Sequence, residues 1–173
     1  MRRRAHGQDD RPVEPDRERK SLSSEQTFAT DLREESILSS VLLEEVEEVA
    51  ERLRRHGLKA RTITLKLRYG DFRTVTRSET LKEATNLTKP LWEAAERVFR
   101  KWQMRSGGPL RLLGFAASGL EPEHAGQQWL FPDPEQEKLK RLDDIVDKIR
   151  DRYGKGAVRR GLTADPDTRE STD

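Results

Sequence analysis

The sequence contains no cysteine, which removes disulfides, thiolate zinc ligands and a cysteine nucleophile from consideration. Its histidines are His6, His56 and His124, and no two of them fall at a metal-ligand spacing. Aromatic residues make up 6% of the chain and hydrophobic residues 32%, so one modest core is possible only if the apolar side chains are concentrated. There is no run of about 18 apolar residues, and so no membrane-spanning helix is expected. The basic head Met1-Arg2-Arg3-Arg4 is followed by no apolar stretch, which argues against a secretory signal. A phosphate-binding loop is missing too, because Ser106-Gly107-Gly108-Pro109 has no following Lys. Ser118 and the other serines have no recognisable base partner in the sequence. The expectation is a soluble cytoplasmic protein without cofactor, metal site or membrane partner.

What the sequence has in abundance is charge. Charged residues are 38% of the chain, yet the net charge is only +2, because the signs are segregated. Over 54–82 stand Arg54, Arg55, Lys59, Arg61, Lys66, Arg68, Arg73, Arg77 and Lys82, against the acids Asp71 and Glu79. Over 34–51 there are seven Glu and no Lys or Arg. A local basic surface attracts phosphate whatever the total charge. The Glu run 44–48 lies in an amphipathic pattern and reads as a solvated helix face.

Periodicity divides the chain. Residues 1–19 are almost all charged, Pro or Gly and read as a flexible tether; 162–173 read as a disordered tail. Residues 20–29 alternate loosely, with Leu22 and Phe28 apolar, and predict a strand. Asp31-Leu32-Arg33-Glu34 offers a capping box for a helix whose apolar stripe is Leu38, Leu42, Val46, Val49 and Leu53. Gly57 is placed to end it. Over 58–69, Ile63, Leu65 and Leu67 alternate with Thr62, Thr64, Lys66 and Arg68, a second strand. The turn signal Tyr69-Gly70-Asp71 leads into a third strand at 72–80, with Tyr69 and Phe72 as caps on the core. A second helix at 87–104 carries Pro90 in its first turn and Leu91, Ala95, Val98 and Trp102 on one face. A fourth strand follows at 110–117.

The predicted fold is therefore α+β, in the order β-α-β-β-α-β, with a four-stranded sheet covered by two helices on one face and open on the other. This domain covers 20–120, and a linker at 121–135 follows it. A C-terminal helix and basic tail occupy 136–161, where Leu139, Leu142, Val146, Ile149 and Tyr153 form a stripe for a peripheral helix.

The open face is expected to be cationic and hydroxylic. Lys and Arg supply charge and Thr supplies donors, a combination suited to phosphate and poor at reading bases. Candidate contacts are Thr62, Thr64, Lys66 and Arg68 on the central strand, with Lys20, Ser21, Ser23, Ser24, Arg73, Arg77, Ser78 and Arg111 from its surroundings. No aromatic stacking platform is evident on the strands.

Several separated segments resemble one family. Arg11-Pro12-Val13-Glu14-Pro15, then Arg19-Lys20-Ser21 with Glu25, Thr27 and Phe28, look like the tether and first strand of the little finger of Y-family translesion DNA polymerases of the DNA polymerase IV type. Lys66, Arg68-Tyr69, Asp71-Phe72 and Thr76-Arg77-Ser78 resemble its central hairpin, and Arg111-Leu112-Leu113-Gly114 its last strand. Asp151-Arg152-Tyr153-Gly154 and Ala157-Val158-Arg159-Arg160 resemble a tail of bacterial members. The resemblance implies a domain that clamps primer–template DNA in the major groove opposite the thumb, through backbone contacts, in lesion bypass and repair, and it adds Thr76 to the candidate DNA contacts. The nucleoid is then the expected setting. The palm carboxylates of such polymerases find no match here, so this chain is not expected to polymerise DNA alone. A separately encoded polymerase core is one implied partner.

Gln127-Gln128-Trp129-Leu130-Phe131 resembles the bacterial sliding-clamp motif, with Gln127, Leu130 and Phe131 as the clamp-binding residues. The same apolar island would also suit docking on the chain's own C-terminal helix. Two other functions remain open on the residues alone: a protein-interaction module with a passive sheet, and an RNA-binding α/β sandwich.

Overall fold

The computed structural model describes residues 20–124 and 133–160. β1 (Ser21–Leu32), α1 (Glu35–Arg55), β2 (Leu58–Tyr69), β3 (Thr74–Thr85), α2 (Thr88–Ser106) and β4 (Leu110–Pro122) alternate as the periodicity predicts. α3 (Pro134–Tyr153) and a 3-10 turn at Lys155–Ala157 follow. The strands form one antiparallel sheet in the order β1-β4-β2-β3. β3 and β4 each run about a turn's length beyond their expected ends, and β1 continues to Leu32.

The helix stripes form the core. Leu38, Leu42, Val46, Val49 and Leu53 of α1 are buried against the sheet, with Leu91, Ala95, Val98 and Trp102 of α2. Ile63, Leu65 and Leu67 of β2 and Leu113, Phe115 and Ala117 of β4 meet them from the sheet side. The one hydrogen-bonding group of Trp102 is satisfied inside, its Nε1 donating to the Tyr69 hydroxyl at 2.9 Å. Gly57, at φ 60°, turns the chain out of α1 in the left-handed region that favours glycine.

The expected capping box does not form. Glu34 occupies the N-cap of α1 without a side-chain cap bond, and Asp31 stays in β1. Asp31 accepts from Arg111 Nε at 2.5 Å instead. A hydrogen bond between ionised partners is stronger than one to a neutral backbone amide, so the neighbouring strand wins the carboxylate.

α3 also departs from its predicted packing. Leu142 and Tyr153 of the expected stripe are exposed, as is Ile145. The face turned toward α1 is ionic. Arg54 donates to both carboxylate oxygens of Asp147 at 2.7 and 2.8 Å, and to Asp143 at 3.3 Å. Asp143 also accepts the Thr88 backbone amide at 2.8 Å. A carboxylate there satisfies an orphan donor of α2 and meets the positive end of its dipole.

The acidic run of α1 is a solvated face only in part: Glu44 is exposed and Glu48 partly so. Glu45, Glu47 and Glu51 are buried. Arg150 and Arg160 reach Glu47 at 2.6 and 2.7 Å, and Lys155 reaches Glu48 at 3.2 Å. The partners lie about a hundred residues downstream, where no local charge pattern could reveal them. Among the described residues no helix is long and apolar enough to cross a membrane.

Candidate nucleic-acid interface

Directly paired residues in an antiparallel sheet share a face, so the register lays the open side out as transverse rows. Across β1, β4, β2 and β3 the rows are Ser21, Ser118, Thr62, Thr80; then Ser23, Ala116, Thr64, Ser78. The next are Glu25, Gly114, Lys66, Thr76, and finally Thr27, Leu112, Arg68, Thr74. Most of this surface is Ser and Thr hydroxyl over small residues of β4.

The hydroxyls bond to one another across strands. Thr64 and Ser78 lie 2.8 Å apart and Thr62 and Thr80 3.3 Å apart. Arg68 Nε donates to Thr74 Oγ1 at 3.0 Å. A hydroxyl has one donor and two acceptor positions, so such pairs retain capacity for an incoming phosphate. Lys66 Nζ donates to Glu25 Oε2 at 2.7 Å over the centre of β4. Gly114 lies between them in register, and a Cβ there would stand 2.8 Å from Glu25 Cβ. The glycine leaves the gap through which the pair closes.

Of the residues expected on this face, Ser21, Ser23, Thr62, Thr64, Lys66, Arg68, Thr76 and Ser78 are gathered there. Ser24 and Arg77 are not. They fall in the row Ser24, Phe115, Leu65, Arg77, which faces the helices. The alternation of side chains decides this, because adjacent strand residues cannot share a face. Glu79, in the next row on that side, pairs with Arg97 of α2 at 2.6 Å, which fixes the orientation of β3. Arg73 lies in the hairpin turn with its guanidinium 4.5 Å from the centre of the Tyr69 ring. Arg111 sits at a register shift of β4 and is held by Asp31 and the Ala29 carbonyl. Lys20 is exposed just before β1. The surface is thus hydroxyl-rich with two cations, rather than densely cationic. Gln127, Leu130 and Phe131 lie outside the described residues.

Sequence reading missed Glu25 as the partner of Lys66, and Thr27, Thr74, Thr80 and Ser118 as members of the rows. Strand alternation applied to β1, β3 and β4 could have found them, had the register been known. Phe72 does not cap the core; it is 78% exposed. On the covered side, burial lifts the Glu45 carboxyl above the usual carboxylate range, opposed by a hydrogen bond from Ser24 and reinforced by Glu48, Glu44 and Glu25. Beyond the sheet, a hydrogen bond from Lys140 holds the Glu123 carboxyl below that range and raises the Lys140 ammonium in turn. Among the described residues no group of three or more His, Asp or Glu could hold a metal ion.

Comparison with known proteins places this geometry. Residues 19–130 match the model of the impB/mucB/samB family C-terminal domain. DNA polymerase IV 1 of Mesorhizobium japonicum is 35% identical over 161 residues, covering 93% of this chain and 36% of the relative. DNA polymerase IV of Bacillus anthracis is 36% identical over 165 residues, covering 93% of this chain and 40% of the relative. The chain thus spans well under half the length of these curated relatives. Among solved structures, a post-insertion binary complex of Dbh DNA polymerase superposes with a TM-score of 0.51 at 16% identity, over 68% of this chain and 33% of that one. At that identity the likeness concerns the fold.

Proposed function

The chain belongs to the impB/mucB/samB C-terminal domain family, the little finger of Y-family DNA polymerases, and from that premise we propose that its open sheet face binds the sugar–phosphate backbone of primer–template DNA during lesion bypass. The observation that carries this reading is the set of aligned hydroxyl rows with Lys66 and Arg68 on one uncovered side. Hydroxyl donors and two cations suit phosphate oxygens spaced along a backbone. Without base-edge readers on the strands, binding follows the backbone and carries little sequence preference.

Positioning, not chemistry, is the role proposed for this domain. A phosphoryl-transfer site needs metal ions held by clustered carboxylates. Of the acids of α1, Glu47 is committed to Arg150 and Arg160, Glu48 to Lys155 and Glu51 to Arg55, and among the described residues no cluster of three or more could hold a metal ion. Chain extension is therefore assigned to palm, fingers and thumb, whether joined to this domain or supplied by a separate protein. The Gln127, Leu130 and Phe131 motif supports a second proposed contact, with the sliding clamp.

The deciding experiment is competition. A labelled primer–template bound to the chain is challenged with unlabelled duplex DNA or structured RNA. Displacement by DNA at lower concentration supports the reading; preferential displacement by RNA overturns it in favour of an RNA-binding sandwich.

A further inference from the structure

The β2–β3 turn holds a bulky side chain in a backbone conformation that bulky residues avoid. Phe72 has φ 64°, and among the described residues it is the one non-glycine at positive φ. The turn around it is well fixed. Phe72 N donates to the Tyr69 carbonyl at 3.0 Å, Tyr69 N to the Arg73 carbonyl at 3.0 Å, and Arg73 N to Asp71 Oδ1 at 3.0 Å. Tyr69 is itself buried and anchored by Trp102, and the Arg73 guanidinium lies over its ring. None of this buries Phe72, whose side chain stands in solvent. Strain retained at an exposed residue points to a use outside the fold.

We propose that Phe72 stacks on an unpaired nucleobase of the bound DNA, an inference that rests on the backbone-binding reading of the sheet. The last row of the open face, Thr27, Leu112, Arg68, Thr74, borders this turn, so exposed Phe72 lies at the end of that face. Its chain neighbours are Asp71 and Arg73, which face each other at 4.0 Å, and Arg68 stands in the bordering row; with two arginines to one acid the surroundings suit nucleic acid better than an apolar protein partner. Bases inside a duplex have both faces occupied by their neighbours. A lone ring finds a free π-face only on an unstacked base, and stacking of this kind tolerates any sequence.

The test measures fluorescence anisotropy of the full chain with a blunt duplex and with the same duplex carrying a single-stranded overhang. Phe72→Gly is expected to weaken overhang binding by about fivefold or more and to leave blunt-duplex binding unchanged. Its unfolding midpoint is not lowered, because glycine accepts this φ without strain. Phe72→Trp retains overhang affinity. Equal affinity of Phe72→Gly and wild type for the overhang probe, or equal losses on both probes, would overturn the inference while the sheet reading stands. A wild-type chain that binds neither probe would overturn the sheet reading itself, and the stacking role with it.

Discussion

Glu25 and Lys66 meet at 2.7 Å across the full width of β4, because the residue between them in register is Gly114. Two strand spacings separate their backbones, about 10 Å, and only an absent side chain leaves the direct line open. Both side chains are partly exposed, so the pair itself contributes little to stability. Its consequence is electrostatic: one of the two cations on the open face already has an anion.

That pairing predicts a coupled effect on DNA affinity. Glu25→Gln raises affinity for primer–template DNA severalfold, and the gain disappears in a Lys66→Met background. A gain that persists without Lys66 would reflect only the added net charge. The double-mutant cycle is read by anisotropy at fixed salt.

Gly114→Ala places a methyl group 2.8 Å from Glu25 Cβ and 3.2 Å from the Ser24 carbonyl oxygen. The expected cost is about 1–3 kcal/mol, seen as a lower urea midpoint with an unchanged m-value. An unaltered midpoint would show that β1 moves aside freely.

The ionic seat of α3 makes another prediction. Asp143 is buried and takes Arg54, Arg160 and the Thr88 amide at once. Asp143→Ala leaves the Arg54 guanidinium with one fewer carboxylate and a helix-terminal donor unpaired. The expected loss is about 3 kcal/mol, together with faster proteolysis within α3. Wild-type proteolysis rates and stability in this variant would contradict the account.

These elements show how far the sequence alone can be read. Alternation of Thr62 to Arg68 and the stripes of α1 and α2 are local patterns, and each reports directly which face is buried. The face of Ser24 and Arg77 needed the register of edge strands, which depends on pairing between distant segments. Glu47 and Glu48 of α1 looked solvated because their partners, Arg150, Arg160 and Lys155, are supplied by the far end of the chain. In α3 the apolar stripe was visible, but long-range ion pairs at Asp143 and Asp147 set which side docks. Phe72 was legible as a turn residue; its positive φ and exposure were not.

Glu45 predicts a pH effect. Its folded-state carboxyl is raised, chiefly by burial, so the folded protein binds that proton more tightly than the unfolded chain does. The group's contribution is most favourable at acid pH and declines as pH rises through the usual carboxylate range to the folded value. Above that it is a constant penalty. Glu45→Gln removes the penalty. The stability difference between variant and wild type therefore grows in favour of the variant as pH rises, then levels off above the folded-state value. A difference independent of pH in chemical unfolding would contradict the assignment.

The central claim is that the open sheet face holds a DNA backbone, and the salt dependence of binding tests it most directly. The anisotropy dissociation constant is followed against salt concentration for wild type, Lys66→Ala and Arg68→Ala. The account predicts affinity that falls steeply with salt, and a logarithmic slope smaller by about 0.9 for each phosphate contact a variant loses. A flat salt response, or variants whose slopes and affinities match wild type, would contradict it.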